Sequence, residues 1–306
     1  MKIFKQNPLV SIIVTTFNRK ELLKETIESI LKQTYTNFEL IVIDNYSNYI
    51  FFEFIKTFDD TRIKAFRNQN NGSVEVNRNY GIHKSKGEFI AFCDDDDLWT
   101  EKKLEIQIPL FSNPKVGLSC GESVILNERN KIIFDNYRKM LPSGYIVNFL
   151  LKDYFVHFSS LVIRRAALDG LDLFFDARFK VIGDFDLVIR LGELWEIATV
   201  QKPVTIARYH NHNTGLKLQH FMDSDLRLWI NKMEGRTSIT SQSNFIFIQN
   251  KADLNYIIKS IVNGEKLKAL KSISKSKIEC KFKYYLILFF PTIIIKKLFD
   301  YRRTSA

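Results

Sequence analysis

Four consecutive aspartates, Asp94-Asp95-Asp96-Asp97, follow the apolar run Gly87-Glu88-Phe89-Ile90-Ala91-Phe92. Adjacent carboxylates repel one another unless cations or hydrogen bonds compensate. The preceding run reads as a buried strand, and in open α/β sheets ligands bind at the carboxyl ends of strands. Hard oxygen ligands suit Mg²⁺ or Mn²⁺, which take one or two protein carboxylates and leave coordination sites for substrate phosphates. A solvated turn of helix-capping aspartates is the plainer alternative, because Thr100 and Leu104 open a helical pattern just beyond. The position of the run at a strand end favours the metal site.

The elements that must carry this run alternate β-branched apolar stretches with helical patterns, which predicts βα units and a largely parallel sheet. Val10–Val14 reads as the first strand and Thr16–Arg19 as the turn after it. Asn18 is the expected N-cap of a helix running to about Lys32, with Leu22, Leu23, Ile27, Ile30 and Leu31 on one face. Strands are predicted at Phe38–Ile43, Arg62–Phe66 and Glu88–Phe92, with helices at Ile50–Phe58 and Ser73–Lys84. Beyond the aspartates the pattern loosens. Helices fit Thr100–Ile108 and Asp184–Leu194, strands fit Val116–Leu118 and Ser159–Ile163, and extended chain fits Val204–Tyr209. A loose β region covers Ser123–Phe134. From about residue 217 only helical patterns remain, and the sequence contains no internal repeat. The expected division is therefore an α/β domain over residues 1–215 and a helical region over 216–306.

Composition fits a globular chain of 306 residues, 45% hydrophobic and 26% charged. The N-terminus has no apolar core of signal-peptide length. Cys93, Cys120 and Cys280 are scattered and lack metal-ligand spacing, which agrees with a reducing, cytoplasmic location. Of the net charge of +11, residues 251–306 supply +9, from 13 basic and 4 acidic side chains. A basic tail on a nearly neutral body points to an anionic partner surface. Within it, Tyr284–Ile295 is a dense apolar run interrupted by Pro291, flanked by Lys281, Lys283, Lys296 and Lys297. It is shorter than the roughly 20 residues a membrane-spanning helix needs. An anchor lying on an anionic membrane surface fits this pattern, and a helical hairpin packed on the rest of the protein is the alternative. Nucleic acid is not expected, since the aromatics sit among aliphatics rather than exposed between basic residues.

Several segments, taken in order, resemble a family 2 glycosyltransferase of the GT-A fold over roughly residues 8–215. They are Val10-Ser-Ile-Ile-Val-Thr-Thr-Phe-Asn-Arg19, Phe38-Glu-Leu-Ile-Val-Ile-Asp44, Arg78-Asn-Tyr-Gly81, Gly87 through Trp99, and Gly183-Asp-Phe-Asp-Leu-Val-Ile-Arg-Leu191. Each piece is weak alone, while their order, spacing and element type agree together. The resemblance implies a Rossmann-like mixed sheet flanked by helices, with a small helical C-terminal appendage, and an inverting, metal-dependent transfer from a nucleotide sugar.

Residue by residue, the resemblance implies that Asp96 ligates the metal bridging the donor phosphates. Asp94 or Asp95 would hold the ribose hydroxyls. Thr15 and Phe17 would contact the base, with the Phe17 ring stacked on it or else buried in the core. Asp44 and Asn45 stand where the family has two successive aspartates, and Asn45 puts the identity of the nucleotide base in question. Arg78 would reach a phosphate or cap a neighbouring helix. Asp184 matches the catalytic base, which removes the acceptor hydroxyl proton while the metal neutralises the departing diphosphate. Capping is its structural alternative, and Asp186 is the reserve base. The family's usual Glu-Asp pair is Gly183-Asp184 here. Among His157, His210, His212 and His220, His212 in Tyr209-His-Asn-His212 is the candidate for closing over the diphosphate or touching the metal. The expected reaction moves a sugar from a nucleoside diphosphate, UDP first, to an acceptor hydroxyl. The acceptor expected from the tail is a lipid-linked glycan of surface polysaccharide assembly at the inner membrane face. Two other readings compete. A nucleotidyltransferase usually carries a Gly-rich basic loop after the first strand, where this chain has Thr15-Thr-Phe-Asn18. A non-catalytic nucleotide-sugar-binding scaffold is favoured only by Gly183.

Overall fold

A computed structural model describes residues 7–127, 132–135, 140–210, 213, 218–276, 278 and 281–289. The chain divides into two compact units, one of Met1–Leu150 with Tyr154–Lys217 and one of Leu151–Asp153 with Leu218–Ala306.

The first unit begins with β1 (Val10–Thr16), α1 (Lys20–Leu31), β2 (Phe38–Asp44), α2 (Phe51–Lys56), β3 (Ile63–Arg67), α3 (Val74–Lys84) and β4 (Phe89–Asp94). β1 pairs in parallel with both β2 and β4, and β2 pairs in parallel with β3. Parallel strands covered on both faces read as unbroken apolar runs, and β2 is buried along its whole length. α1 presents Leu23, Thr26, Ile27 and Ile30 to the sheet at helical spacing. Leu23, Ile27 and Ile30 join Val10, Ile12, Val14, Phe89 and Phe111 in one hydrophobic cluster.

The remaining elements are β5 (Leu98–Trp99), α4 (Lys103–Gln107), β6 (Val116–Asn127), β7 (Ile132–Asp135), α5 (Val147–Lys152), β8 (Val162–Arg164), α6 (Arg165–Asp169), α7 (Gly183–Gly192) and β9 (Glu196–Tyr209). The strand order is β3-β2-β1-β4-β8-β6-β9-β5, with β7 on β6. The β4–β8 and β8–β6 pairings are antiparallel, while β6–β9 is parallel, so the sheet is mixed. From β1 the chain winds outward to β2 and β3, then crosses to β4 on the other side of β1. The crevice beyond the carboxyl ends of β1 and β4 is thus the topological switch point where such sheets bind ligands.

Three expectations about elements change. Asn18 is not the cap of α1: Arg19 holds that position without a side-chain cap. Asn18 has φ 54° and its Oδ1 accepts the Asn48 N–H at 2.8 Å, tying the β1 turn to the β2 turn. The predicted strand at Ser159–Ile163 splits into a 3₁₀ turn, Phe158–Ser160, and β8, because both serines serve hydrogen bonds rather than a ladder. The helix expected to reach Ile108 ends at Gln107 and continues as 3₁₀ turn through Ser112, where Pro109 removes an N–H.

The second unit is helical: α8 (Met222–Met233), α9 (Thr237–Thr240), α10 (Phe245–Val262), α11 (Lys266–Lys275) and α12 (Lys281–Ile287). Ile257 and Ile261 of α10 pack with Ala269 and Ile273 of α11. Among the described residues no helix is long and apolar enough to cross a membrane. The second half of the apolar run expected as an anchor, from residue 290, lies outside the described residues.

Candidate active site

β1 and β4 run side by side in a register that places Thr15 against Asp94. The two strands therefore deliver the turn Phe17-Asn18-Arg19 and the aspartate run to the same end of the sheet. The four aspartates are not equivalent. Asp94 is the most accessible, with its side chain 35% exposed, and Asp95, Asp96 and Asp97 are buried.

Each buried carboxylate has its own compensation. Asp95 accepts Thr16 Oγ1–H at 2.7 Å and an Arg19 Nη1–H at 2.9 Å. Burial outweighs the Arg19 charge and pushes the Asp95 carboxyl up to about 7. The same Arg19 nitrogen reaches Asp96 Oδ2 at 2.8 Å, and His210 Nε2 and Asn213 Nδ2 lie 3.2 and 3.3 Å from that oxygen. Asp96 is raised by burial first and by the Asp94 charge next. Asp97 accepts Ser159 Oγ–H and the Arg208 N–H, and burial lifts its carboxyl to about 6. Arg208, itself buried, ties β9 to this loop through the Asp96 carbonyl and pairs with Glu25 of α1.

One oxygen from each of Asp94, Asp96 and Asp97 can be chosen so that all three lie within 4.8 Å of one another. An all-carboxylate set this close, at strand ends and with an imidazole nitrogen beside it, fits Mg²⁺ or Mn²⁺. The expectation for Asp96 thus gains Asp97 and His210 as neighbours, neither singled out from sequence. His212 lies outside the described residues.

Residues expected at the nucleotide end divide into exposed and committed groups. Thr15 is half-buried at the end of β1, and Phe17 is 52% exposed. Phe17 is thereby a surface aromatic rather than a core one. Asp44 is fully buried; its carboxylate accepts the Ser47 N–H and Oγ–H and an Arg67 Nε–H at 2.9 Å. It therefore fixes the turn after β2, which presents Tyr46 to solvent at 59% exposure. Asn45 accepts the Asn70 N–H on Oδ1 at 2.8 Å, which fixes the orientation of its amide at the end of β2.

Arg78 neither caps a helix nor extends into solvent. Its Nη1 donates to both Glu75 oxygens at 3.0 and 3.2 Å, and its Nη2 donates to Asp94 Oδ1 at 3.0 Å. The guanidinium also lies 3.7 Å from the Phe158 ring centroid.

Across from the aspartate run stands α7. Every residue of this helix is buried except Asp184, which is half-buried. Tyr154 donates its hydroxyl to Asp184 Oδ2 at 3.0 Å. Burial raises the Asp184 carboxyl above the usual carboxylate range, against the pull of Arg78, so it holds a proton more readily than a surface aspartate. Asp186 is spoken for: Arg190 grips its Oδ2 through Nε and Nη2 at 2.9 and 2.7 Å and also donates to the Leu173 carbonyl. As a buried structural ion pair it is no longer a reserve base.

Comparison with known proteins gives a consistent picture. The family model described as Glycosyl transferase family 2 matches residues 11–171. The chain is 34% identical over 161 residues to Escherichia coli WfgD, a UDP-Glc:α-D-GlcNAc-diphosphoundecaprenol β-1,3-glucosyltransferase, covering 53% of this chain and 62% of that one. It is 37% identical over 117 residues to WfaP of the same organism and description, covering 38% and 47%. The chain thus spans less than two thirds of these relatives' length. Among solved structures, Staphylococcus aureus TarS 1–349 in complex with UDP-GlcNAc superposes with TM-score 0.57 at 15% identity, covering 86% of this chain and 88% of that one. A Pyrobaculum calidifontis mannosyltransferase in complex with GDP-Man and Mn²⁺ gives TM-score 0.58 at 14% identity, covering 96% and 87%. At such identities these likenesses establish the fold.

Proposed function

Because the chain belongs to glycosyl transferase family 2 and has the GT-A fold, we propose that it moves a hexose from UDP to a hydroxyl of a lipid-diphosphate-linked sugar, with inversion and with Mn²⁺ or Mg²⁺. The observation that carries this reading is the pairing of two groups on one site: a three-carboxylate cluster at the switch point, and Asp184 as the single accessible residue of α7.

In this reading Asp96, with Asp94 and Asp97, holds the metal, and His210 stands beside Asp96. Bound there, the cation supplies charge neutralisation for the departing diphosphate. Thr15 and Phe17 meet the base, the exposed Phe17 ring stacking on it, while Asp44 holds the turn that brings Asn45 to the base edge. Asp94, the accessible member of the run, can also reach the ribose hydroxyls. Arg78 keeps Asp94 in place rather than gripping phosphate directly. Asp184 accepts the acceptor hydroxyl proton as the new glycosidic bond forms, and its raised affinity for a proton suits that task near neutral pH. One carboxylate acting as base gives a single in-line displacement and hence inversion at the anomeric carbon.

The donor and acceptor follow the two E. coli relatives, whose names state UDP-Glc and a diphosphoundecaprenol-linked GlcNAc. We divide the chain accordingly into a catalytic domain over residues 1–215 and a basic helical region over 216–306. The second region supports a membrane-surface role: Leu267 is 76% exposed on α11, which also carries exposed Lys268, Lys271 and Lys275, and Phe282 and Phe289 further along are 72% and 84% exposed. The test is transfer of labelled hexose from a panel of UDP-, GDP- and dTDP-sugars to a polyprenyl diphosphate-linked GlcNAc, with and without Mn²⁺. Metal-dependent transfer from one UDP-hexose is expected. Transfer from none of the panel would overturn the proposal.

A further inference from the structure

Glu75 lies on the first turn of α3, where nothing in its sequence setting marks it as other than a solvated helix residue. It is nevertheless 3% exposed, and both of its oxygens receive Arg78 Nη1. Buried carboxylates need a partner. They also need room, and here the room comes from a glycine on another helix. A Cβ placed on Gly183 would lie 2.2 Å from Glu75 Oε1 and 2.6 Å from its Cδ. Any side chain at 183 therefore displaces the Glu75 carboxylate. That displacement breaks a buried ion pair, so the flexibility of the glutamate side chain does not make it cheap.

The result is a cluster in which one cation serves three carboxylates. Arg78 binds Glu75 through Nη1 and Asp94 through Nη2, and its charge also acts on Asp184, the residue after Gly183. Phe158 packs its ring against one face of the guanidinium. We propose that Glu75 is a positioning residue for the transfer: seated in the space Gly183 leaves open, it holds Arg78 between itself and Asp94 and so keeps the cation from pairing directly with Asp184. An Asp184 neutralised by a direct Arg78 contact would be a weaker proton acceptor. This inference rests on the reading of Asp184 as the base.

The experiment compares Glu75→Gln, Asp184→Asn, Glu75→Ala and the double variant Glu75→Ala/Gly183→Asp. For each, kcat for UDP-hexose transfer is measured beside the Kd for UDP in Mn²⁺. Glu75→Gln keeps the shape and loses the charge; it is expected to lower kcat about 10- to 100-fold with the UDP Kd within about twofold. In the double variant an aspartate places its carboxyl carbon one bond beyond the Cβ position that Glu75 now fills. It is expected to recover about tenfold or more of the kcat lost in Glu75→Ala. A role in folding alone predicts that kcat recovers only as far as Tm does, so the Tm of each variant is measured beside its kcat. If Glu75→Gln does not fold, Gly183→Ala dislodges the carboxylate without removing it and is expected to show the same kcat loss. Full activity in Glu75→Gln or Gly183→Ala, together with an inactive Asp184→Asn, overturns the role of Glu75 and leaves the base in place. An active Asp184→Asn instead removes the base reading.

Discussion

Replacing Asp184 by asparagine should separate catalysis from stability. Burial makes the Asp184 charge costly in the folded state, the nearby Asp94 charge adds to that cost, and Arg78 offsets part of it. A carboxyl whose folded pKa is raised destabilises the fold as pH climbs above its unfolded value, near 4. Asparagine removes that cost at pH 8, and its amide oxygen can still accept the Tyr154 hydroxyl now bound at 3.0 Å. The Tm of Asp184→Asn should therefore equal or exceed that of the parent. Loss of a general base slows turnover about 10²- to 10⁴-fold, or about 3–5 kcal/mol in the barrier. The assay is release of UDP from UDP-glucose in the presence of the lipid-linked GlcNAc acceptor, with the Tm measured on the same preparation. The parent's rate should fall at acid pH along a limb displaced above the ordinary aspartate range, since the base must be ionised to act. Turnover within about tenfold of the parent would refute the assignment, as would a loss of activity explained by a collapsed Tm.

Other parts of the protein yield further expectations. Lys103 is fully buried, donating to the Ser160 carbonyl at 3.0 Å and to Gln107, and burial lowers its pKa to about 7. A lysine with a depressed folded pKa costs stability below that pKa and ceases to cost it as pH rises toward its unfolded value, near 10.4. Lys103→Met should accordingly compare best with the parent at pH 6 and lose ground to it by pH 10, read as the Tm difference; a gap independent of pH contradicts this. At the other end of the chain, changing Lys268, Lys271 and Lys275 together to glutamine should weaken partition onto phosphatidylglycerol vesicles, because the anionic surface loses three cations it attracts. Sedimentation with neutral and anionic vesicles checks it, and equal binding to both would dismiss the charge contribution.

Much of this architecture was legible because burial leaves a mark on sequence. β1, β2 and β4 are buried along nearly their whole length and read as largely apolar runs, and the helical spacing of Leu23, Ile27 and Ile30 announced the inner face of α1. The aspartate run was visible for its position after one such strand. What stayed hidden is polar and non-local. Ser159 looks like a strand residue until its hydroxyl is seen donating to Asp97 and accepting the Asp94 N–H. Asn18 has the chemistry of a cap, but its left-handed backbone turns its amide toward Asn48. Arg19 and His210 approach the aspartates from separate strand ends, and no spacing rule links them. Glycine at 183 read as a lost acid; its meaning depends on Glu75, more than a hundred residues earlier, entering the space from α3.

In the proposed function, the carboxylate cluster at the switch point binds a nucleoside diphosphate through a divalent cation. Calorimetric titration of UDP into the protein, in EDTA and in Mn²⁺, tests it most directly, with Asp96→Ala run in parallel. Binding should appear only with Mn²⁺ in the parent and be lost in Asp96→Ala, while that variant keeps its fold. UDP binding of equal strength in EDTA, or unaltered Mn²⁺-dependent binding in a folded Asp96→Ala, would contradict it.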